Sequence, residues 1–326
     1  MKTNEKPHLL LFLKHGFLAM LFLAFSCSPD PALNLEENLG ATNAKSNNSI
    51  LKTLVKGAAL AGSNGLDVGP DGNLYIASVN GQEIAVMNKN NGKILNRFGP
   101  AEGVLGPDDL VFSPDGSALY WTDLLTGFVG RKDIDGNTLG YQEVAPGVNP
   151  VRFSKPNPDD PESEPRLFVA LDFLGDGLYE LDPDFTFGAP PPPALIECPT
   201  GFCMGYFNSF DTRWEDGRLI LYGPLFAANL IVAIDVTDIT ETKSFNTIDE
   251  FFADQATRIV AGLDGSLSNP AAAKFGPDGI LYVLDQKGKL YKVNADGEDD
   301  KTLFTTLPPG LDNMTFDEDG SLYMTN

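Results

Sequence analysis

From about residue 50 onward the chain is a succession of short stretches in which apolar and polar residues alternate, interrupted by Asp-Gly or Pro-Asp-Gly. The last of them, residues 311–326, reads LDNMTFDEDGSLYMTN. Met314 and Phe316 alternate with polar neighbours before Asp319-Gly320, and Leu322 and Met324 do so after it, which predicts a strand, a tight turn and a second strand. The unit recurs as SNGLDVGPDGNLYIAS from Ser63, PDDLVFSPDGSALYWTD from Pro107, and VNPVRFS from Val148 with RLFVALD downstream. It recurs again as FNSFDTRWEDGRLILYG from Phe207 and SNPAAAKFGPDGILYVLD from Ser268. Each copy has a polar pair or an Asn or Asp, an apolar strand, usually a Gly-containing turn, and a strand with Leu-Tyr or its equivalent. Further strands follow in EIAVMN and KILNRFG, and in KLYKVN and KTLFTTL.

A repeat of roughly 40–60 residues built of short strands predicts a β-propeller, one four-stranded sheet per blade. Six copies predict an all-β, six-bladed propeller with antiparallel blades over residues 49–326. Two proline-dense segments, KPNPDDPESEP (155–165) and APPPP (189–193), cannot join a central sheet and are expected as surface loops. Residues 242–257 are expected as a loop insertion, with a short helix or lid as the alternative. The sixth copy ends after its second strand, so the last blade is expected to be incomplete, either short by nature or truncated. SILKTLVK, residues 49–56, is expected as an outer strand closing the ring from the other end.

The first 26 residues stand apart from this pattern. Lys2, Lys6 and Lys14 precede an apolar run too short to span a bilayer, which reads as a signal peptide. Ala24-Phe25-Ser26-Cys27 resembles a lipobox, making Cys27 the expected lipidation site; ordinary cleavage is the alternative. Residues 27–48, rich in Asn, Ser, Pro and Glu, read as a flexible tether. The expected location is the bacterial cell envelope, lipid-anchored or secreted, with the membrane reached only through that anchor. The other two cysteines, Cys198 and Cys203 in CPTGFC, are expected to form a disulfide in such an oxidising compartment.

Composition narrows the chemistry. Both histidines, His8 and His15, lie in the leader, so the remainder of the chain has neither a Ser-His-Asp nor a Cys-His catalyst nor a His-ligated metal. The formal net charge is −22, and the leader holds only one of the 45 acidic residues. Such a surface repels nucleic acid and suits a monomeric extracytoplasmic protein that binds cations.

Inner strands of a propeller run the same way along the axis, so residues at their starts converge on one mouth of the channel. Here these are Asn64, Asp108, Asp109, Asn149, Asn208, Asn269, Asp312 and Asn313. Calcium takes six to eight hard oxygen ligands, which carboxylates, amide carbonyls and water can supply. Asn or Asp before a strand also caps turns through its own backbone, the purely structural reading of each position.

The segments LDNMTFDEDGSLYMTN, GPDDLVFSPDG and SNGLDVGPDG resemble the inner-strand segments of the gluconolactonase, senescence marker protein and luciferin-regenerating-enzyme family of six-bladed propellers, which is similar to calcium-dependent propeller hydrolases. The resemblance covers residue 50 to the end and implies a calcium-dependent activity. It carries a metal-ligand role to Asp312, with Asn313 beside it, to Asn149 or Asn208, and to Asp108 at a further channel position. Asn64 stands where the family has a glutamate. Tyr120-Trp121-Thr122-Asp123 is similar to the YWTD propeller signature in one blade.

The resulting expectation is a hydrolase of a small-molecule lactone or ester. Asn64, Asp108, Asn149, Asn208, Asp312 and Asn313 would hold Ca2+, and Asp312, Asp108 or Asp109 would accept the proton from water. Arg152 and Arg213 would steady an anionic substrate or form surface ion pairs. The alternative is a non-enzymatic binding propeller with a structural calcium. A lyase with a channel glutamate or histidine is a third reading, for which no inner-strand start supplies the residue.

Overall fold

The computed structural model describes residues 52–55 and 60–326. The leader, Cys27 and the tether lie outside the described residues, and Leu54–Asn326 form one compact unit. No described helix is long and apolar enough to cross a membrane.

The alternating stretches form strands that pair in chain order. β1 to β4 (Ser63–Val68, Leu74–Ser78, Glu83–Met87, Ile94–Phe98) make the first sheet. β5 to β8 (Pro107–Phe112, Ala118–Asp123, Phe128–Asp133, Thr138–Glu143) make the second. β9 to β12 (Val148–Phe153, Leu167–Leu171, Gly177–Leu181, Ala194–Glu197) make the third blade, whose outer edge takes one further, parallel strand from the segment after β15. The fourth is β13 to β15 (Asp211–Glu215, Arg218–Leu225, Leu230–Asp235); after β16 (Lys243–Ser244) and α1 (Ile248–Ala253), β17 (Thr257–Ala261) completes it. β18 to β21 (Pro270–Phe275, Leu281–Asp285, Lys289–Val293, Lys301–Thr306) form the fifth, and β22 and β23 (Asn313–Phe316, Leu322–Thr325) pair alone. The fold is a β-propeller of five four-stranded antiparallel blades with a small sixth, two-stranded sheet. Six complete blades are not present among the described residues.

Each inner strand lies beside those of its neighbours, β1 adjoining both β5 and β22, and so the ring closes. Ser63 Oγ donates to the Asn326 carbonyl at 2.9 Å, and the Thr325 hydroxyl donates to the Asn64 carbonyl. Of residues 49–56, the described 52–55 are in no strand, so the expected outer strand is not formed there; the others lie outside the described residues. Leu54 and Val55 instead pack on a cluster of Leu66, Leu74, Ile76 and Met87, to which Tyr323 also contributes. The insertion after β15 is not a plain loop: it carries the short helix given as the alternative, and a short strand. β16 pairs parallel with β12, and α1 starts at Thr247, whose side chain accepts the Glu250 N–H.

The Leu-Tyr pairs of the repeat have a structural cause. Tyr75, Tyr120, Tyr222 and Tyr282 each set their ring against a phenylalanine closing the next sheet's inner strand, namely Phe112, Phe153, Phe275 and Phe316, with centroids 4.8, 5.1, 5.2 and 4.9 Å apart. Such pairs contribute about 0.5–1.5 kcal/mol beyond their buried area, and here they join blade to blade. In the second blade Trp121 is fully buried against Gly130, where a Cβ would stand 2.1 Å from the indole ring. Gly130→Ala is therefore expected to lower stability by about 3 kcal/mol, measured by urea unfolding, because a packed core resists added volume.

Candidate functional site at the channel mouth

The same irregularity opens four of the inner strands. The ladders β1–β2, β5–β6, β9–β10 and β18–β19 each shift register near their first residues, with one extra residue on the inner strand. The fourth blade repeats it outside its regular ladder, where Phe207 bridges Leu225 and Asp211 next pairs with Tyr222. A bulge re-aims side chains out of the pleat. These bulges fall at Asn64-Gly65, Asp108-Asp109, Asn149-Pro150, the stretch after Asn208, and Ala271. Backbones also approach closely here: a Cβ on Gly65 would collide with Asp109.

Three carboxylates gather in the resulting upper layer. Asn64 Nδ2 donates to Asp108 Oδ1 at 2.7 Å, while Asp108 Oδ2 is buried with no hydrogen-bond partner. Burial, then the nearby Asp312 carboxylate, pushes the Asp108 pKa well above the usual carboxylate range. Asp172, just past β10, accepts the Phe173 N–H at 3.0 Å and the Asn149 amide at 3.4 Å. Burial, then Asp108, Asp176 and Asp312, pushes it well up too. Asp312 is half-buried and accepts a 3.3 Å hydrogen bond from Gln286; burial and Asp109 push its pKa up to about 6. None of the groups acting most strongly on these three carboxylates is a cation.

A second layer is self-satisfied. Asp109 accepts the Val151 N–H and the Asn313 amide, both at 3.1 Å, using both oxygens. Asn313 Oδ1 in turn accepts the Ser209 hydroxyl at 2.7 Å and the Met314 N–H at 2.8 Å. Asn208 Oδ1 accepts the adjacent Ser209 N–H at 2.8 Å, the turn-capping role. A third layer balances charge. Arg152 donates to Asp211 at 3.0 Å, and buried Lys274 donates to the Phe210 carbonyl at 2.8 Å. Burial works against the Arg152 charge, but Asp211 and Asp67 outweigh it and raise its pKa. Burial, joined by Arg152, pushes Lys274 down to about 8.

The structure therefore brings together Asn64, Asp108, Asn149 and Asp312, and ties Asp109 and Asn313 beneath them. It does not bring Asn269 to the ring. That residue has φ 47°, and its amide donates to the Phe226 carbonyl while its backbone N–H donates to Asn229. Arg152 and Arg213 are not at the mouth either, Arg213 being paired with Glu215 and Asp296. Cys198 and Cys203 are disulfide-bonded in the loop before the fourth blade. Asp172, Asp176, Gln286 and Lys274 were not anticipated. Asp172 had one signal, the Asp that ends the second strand of several copies. Among the described residues no three His, Cys, Asp or Glu side chains stand close enough to hold a metal ion as a group. What the mouth offers is hard oxygen, with the buried Asp108 Oδ2 unclaimed; Asp285 Oδ2, opposite the start of β18, is buried and unpartnered as well.

No protein-family model and no curated protein matches the sequence. Solved structures do. A gluconolactonase from Xanthomonas campestris superposes with a TM-score of 0.56 at 13% identity, over 82% of this chain and 83% of that one. Virginiamycin B lyase from Staphylococcus aureus does so with 0.55 at 15%, over 81% and 78%. A catalytically inactive His-to-Ala variant of that lyase, solved with quinupristin, gives 0.50 at 15%, over 81% and 77%. The likeness is one of fold. Propellers of this fold carry different chemistries, so function rests on the residues of the mouth.

Proposed function

We propose that the channel mouth is a divalent-cation site of an extracytoplasmic hydrolase of the gluconolactonase type, acting on a lactone or ester. The two-stranded sheet is read as the inner half of a sixth blade. The observation that carries the cation site is Asp108, whose buried Oδ2 has no partner while Asp172 and Asp312 crowd the same layer without a countercharge. Buried carboxylates in such surroundings pair or coordinate metal. Oxygen-only donors without histidine or thiolate fit calcium. Asp108 would hold it directly. Since no three carboxylates among the described residues stand close enough to ligate together, Asp172, Asp312, Asn64 and Asn149 would reach it through water. Asn208 and Asn313, whose carbonyls are already engaged, brace the layer below.

Calcium when bound would polarise the substrate carbonyl and acidify a water. The protein's own part is to position and to move a proton. Asp312, half-buried and held only by Gln286, accepts the proton as the water oxygen bonds to the carbonyl carbon. It returns that proton to the alkoxide as the ester C–O bond breaks, so a lactone leaves as its hydroxy acid. With histidine confined to the leader, a carboxylate must do this work. The same absence weighs against the lyase relative, whose His-to-Ala variant is inactive.

The engaged amides of Asn208 and Asn313 favour a second reading, a binding propeller in which the ion is structural. Asp312→Ala separates the two. In a hydrolase it lowers kcat at least about a hundredfold while calcium still raises Tm in part; activity unchanged, or absent from the wild type across a lactone and ester panel, leaves the binding reading. Export and anchoring through Cys27 belong to the same proposal, and mass spectrometry of the mature N-terminus, acylated or plain, decides between them.

A further inference from the structure

Beside the mouth lies a row of aromatic rings that the carboxylate layer does not explain. Phe173 follows Asp172 directly and its centroid is 5.4 Å from Tyr206; Tyr206 lies 5.3 Å from Phe202, and Phe173 lies 6.2 Å from Phe226. Three of the surrounding apolar side chains face solvent, Phe173 at 44%, Leu174 at 51% and Phe202 at 55% exposure. The backbone is held in an unfavourable conformation to present two of the rings, with φ 61° at Phe173 and 66° at Tyr206. Bulky residues rarely adopt positive φ, and where they do the surrounding structure must over-determine it. Here carboxylates do so: Asp172 accepts the Phe173 N–H, and Asp176 accepts those of Met204, Gly205 and Tyr206 at 2.8–3.0 Å. The Tyr206 phenol is near enough to Asp172 and Asp176 that, after burial, both push its pKa up. The Cys198–Cys203 disulfide ties down the loop carrying Phe202. Neither core packing nor turn chemistry requires rings here; glycine would satisfy both positive-φ positions without strain.

We propose that this row is the subsite for a flat apolar ring of the substrate, so that the ester or lactone handled at the mouth carries an aryl or benzylic group and not a polyhydroxylated ring. This rests on reading the mouth as a hydrolytic site. Aromatic faces stack on either kind of ring, but a sugar also needs polar side chains for its hydroxyls. Phe173, Leu174, Phe202, Phe226 and the exposed Ala227 offer none; the Tyr206 hydroxyl interrupts them, and the neighbouring Asn269 and Asn229 are engaged with the Phe226 carbonyl and the Asn269 N–H. An apolar surface continuous with buried carboxylates, and built at a cost in backbone strain, suits an apolar ring whose ester lies over Asp172 and Asp312.

The test uses the full mature protein and two matched probes. Binding of N-benzylacetamide, which is not hydrolysed as an ester, is followed by ligand-observed NMR with and without calcium, and turnover of benzyl acetate is compared with that of ethyl acetate. The expected result is binding of the amide that Phe173→Gly and Tyr206→Ala each weaken about tenfold, the scale of one lost aromatic contact, with benzyl acetate preferred by a similar factor in kcat/KM. Phe173→Gly should not lower Tm, because it relieves a positive φ, and Phe187→Ala, which removes an exposed ring elsewhere, should leave binding unchanged. Amide bound equally by the wild type and both variants, or not at all, overturns the subsite. Binding that the variants weaken, without hydrolysis of either ester, upholds the subsite and overturns the hydrolase. Equal turnover of the two esters does the reverse.

Discussion

Asp108→Asn is expected to make the metal-free protein more stable, by about 1–3 kcal/mol at pH 7.5, while abolishing its response to calcium. The substitution keeps the shape that accepts the Asn64 amide and removes a charge that burial and Asp312 disfavour. In the wild type a calcium concentration a hundredfold above Kd should stabilise by about 2.7 kcal/mol, read as a saturable rise in Tm after chelation. The pH dependence follows with its sign. A carboxyl whose folded pKa is raised contributes stability at low pH that is lost as pH rises through the folded value. Asp312 rises to about 6, and Asp108 and Asp172 stand well above their ordinary range. The metal-free protein should therefore lose stability between pH 5 and pH 7.5, by up to about 1.4 kcal/mol per pH unit per group. Both histidines lie in the leader, so no imidazole of the propeller titrates in that window. Asp108→Asn should flatten the slope, and calcium should reverse it. A slope that is flat in the metal-free wild type would remove the physical basis of the cation site.

The second large effect is expected one layer down. Arg152→Met should cost about 3 kcal/mol in urea unfolding, because it leaves Asp211, 1% exposed, without the guanidinium that holds its carboxylate ionised. The loss sits at the low end for a broken buried pair because the Arg152 side chain keeps 24% exposure. Arg152 is also the charge that, after burial, depresses Lys274, so the variant should raise the Lys274 pKa from about 8, which NMR titration of its ε-methylene would show. A shift downward would mean that Asp211 does not organise this layer.

Much of the architecture was legible because a propeller writes it many times over. Asn64, Asp108, Asn149 and Asp312 recur at matched positions, and periodicity alone put them at one end of the ring. What periodicity could not show is which member of each pair faces the channel, since that depends on a one-residue bulge. Asn313, in a ladder without a bulge, braces Asp109, and Asn269, at a matching place in the repeat, serves a loop. Asp172 was hidden for a related reason. Asp123 and Asp285 end second strands and Asp172 directly follows one, but Asp123 is spent on the N–H groups of Leu105, Gly106 and Thr126, and one oxygen of Asp285 on those of Lys287 and Lys289. Asp172 is less tied by its own loop and reaches the Asn149 amide instead. Lys274 sits in an apolar run, and the charges around it come from β9, β5, β13 and β1, which no local pattern reveals. The last sheet has two strands because the sixth copy of the repeat holds two, and that much was plain from the sequence. The strand expected to cover it, from residues 49–56, is not formed in the described residues 52–55.

The insertion between β15 and β17 bears on how this molecule comes apart. β16 belongs by sequence to the fourth blade but hydrogen-bonds to β12, the outermost strand of the third, through Ile196 and Glu197. Thr242 adds a side-chain bond to Ala194 beside it. An open sheet edge recruits foreign strands and seeds aggregation. Here the chain occupies part of that edge itself, and in doing so it couples the opening of one blade to that of the next. Fraying at the rim of the third blade must first lift a segment anchored in the fourth, so the two should protect their amides as a single unit.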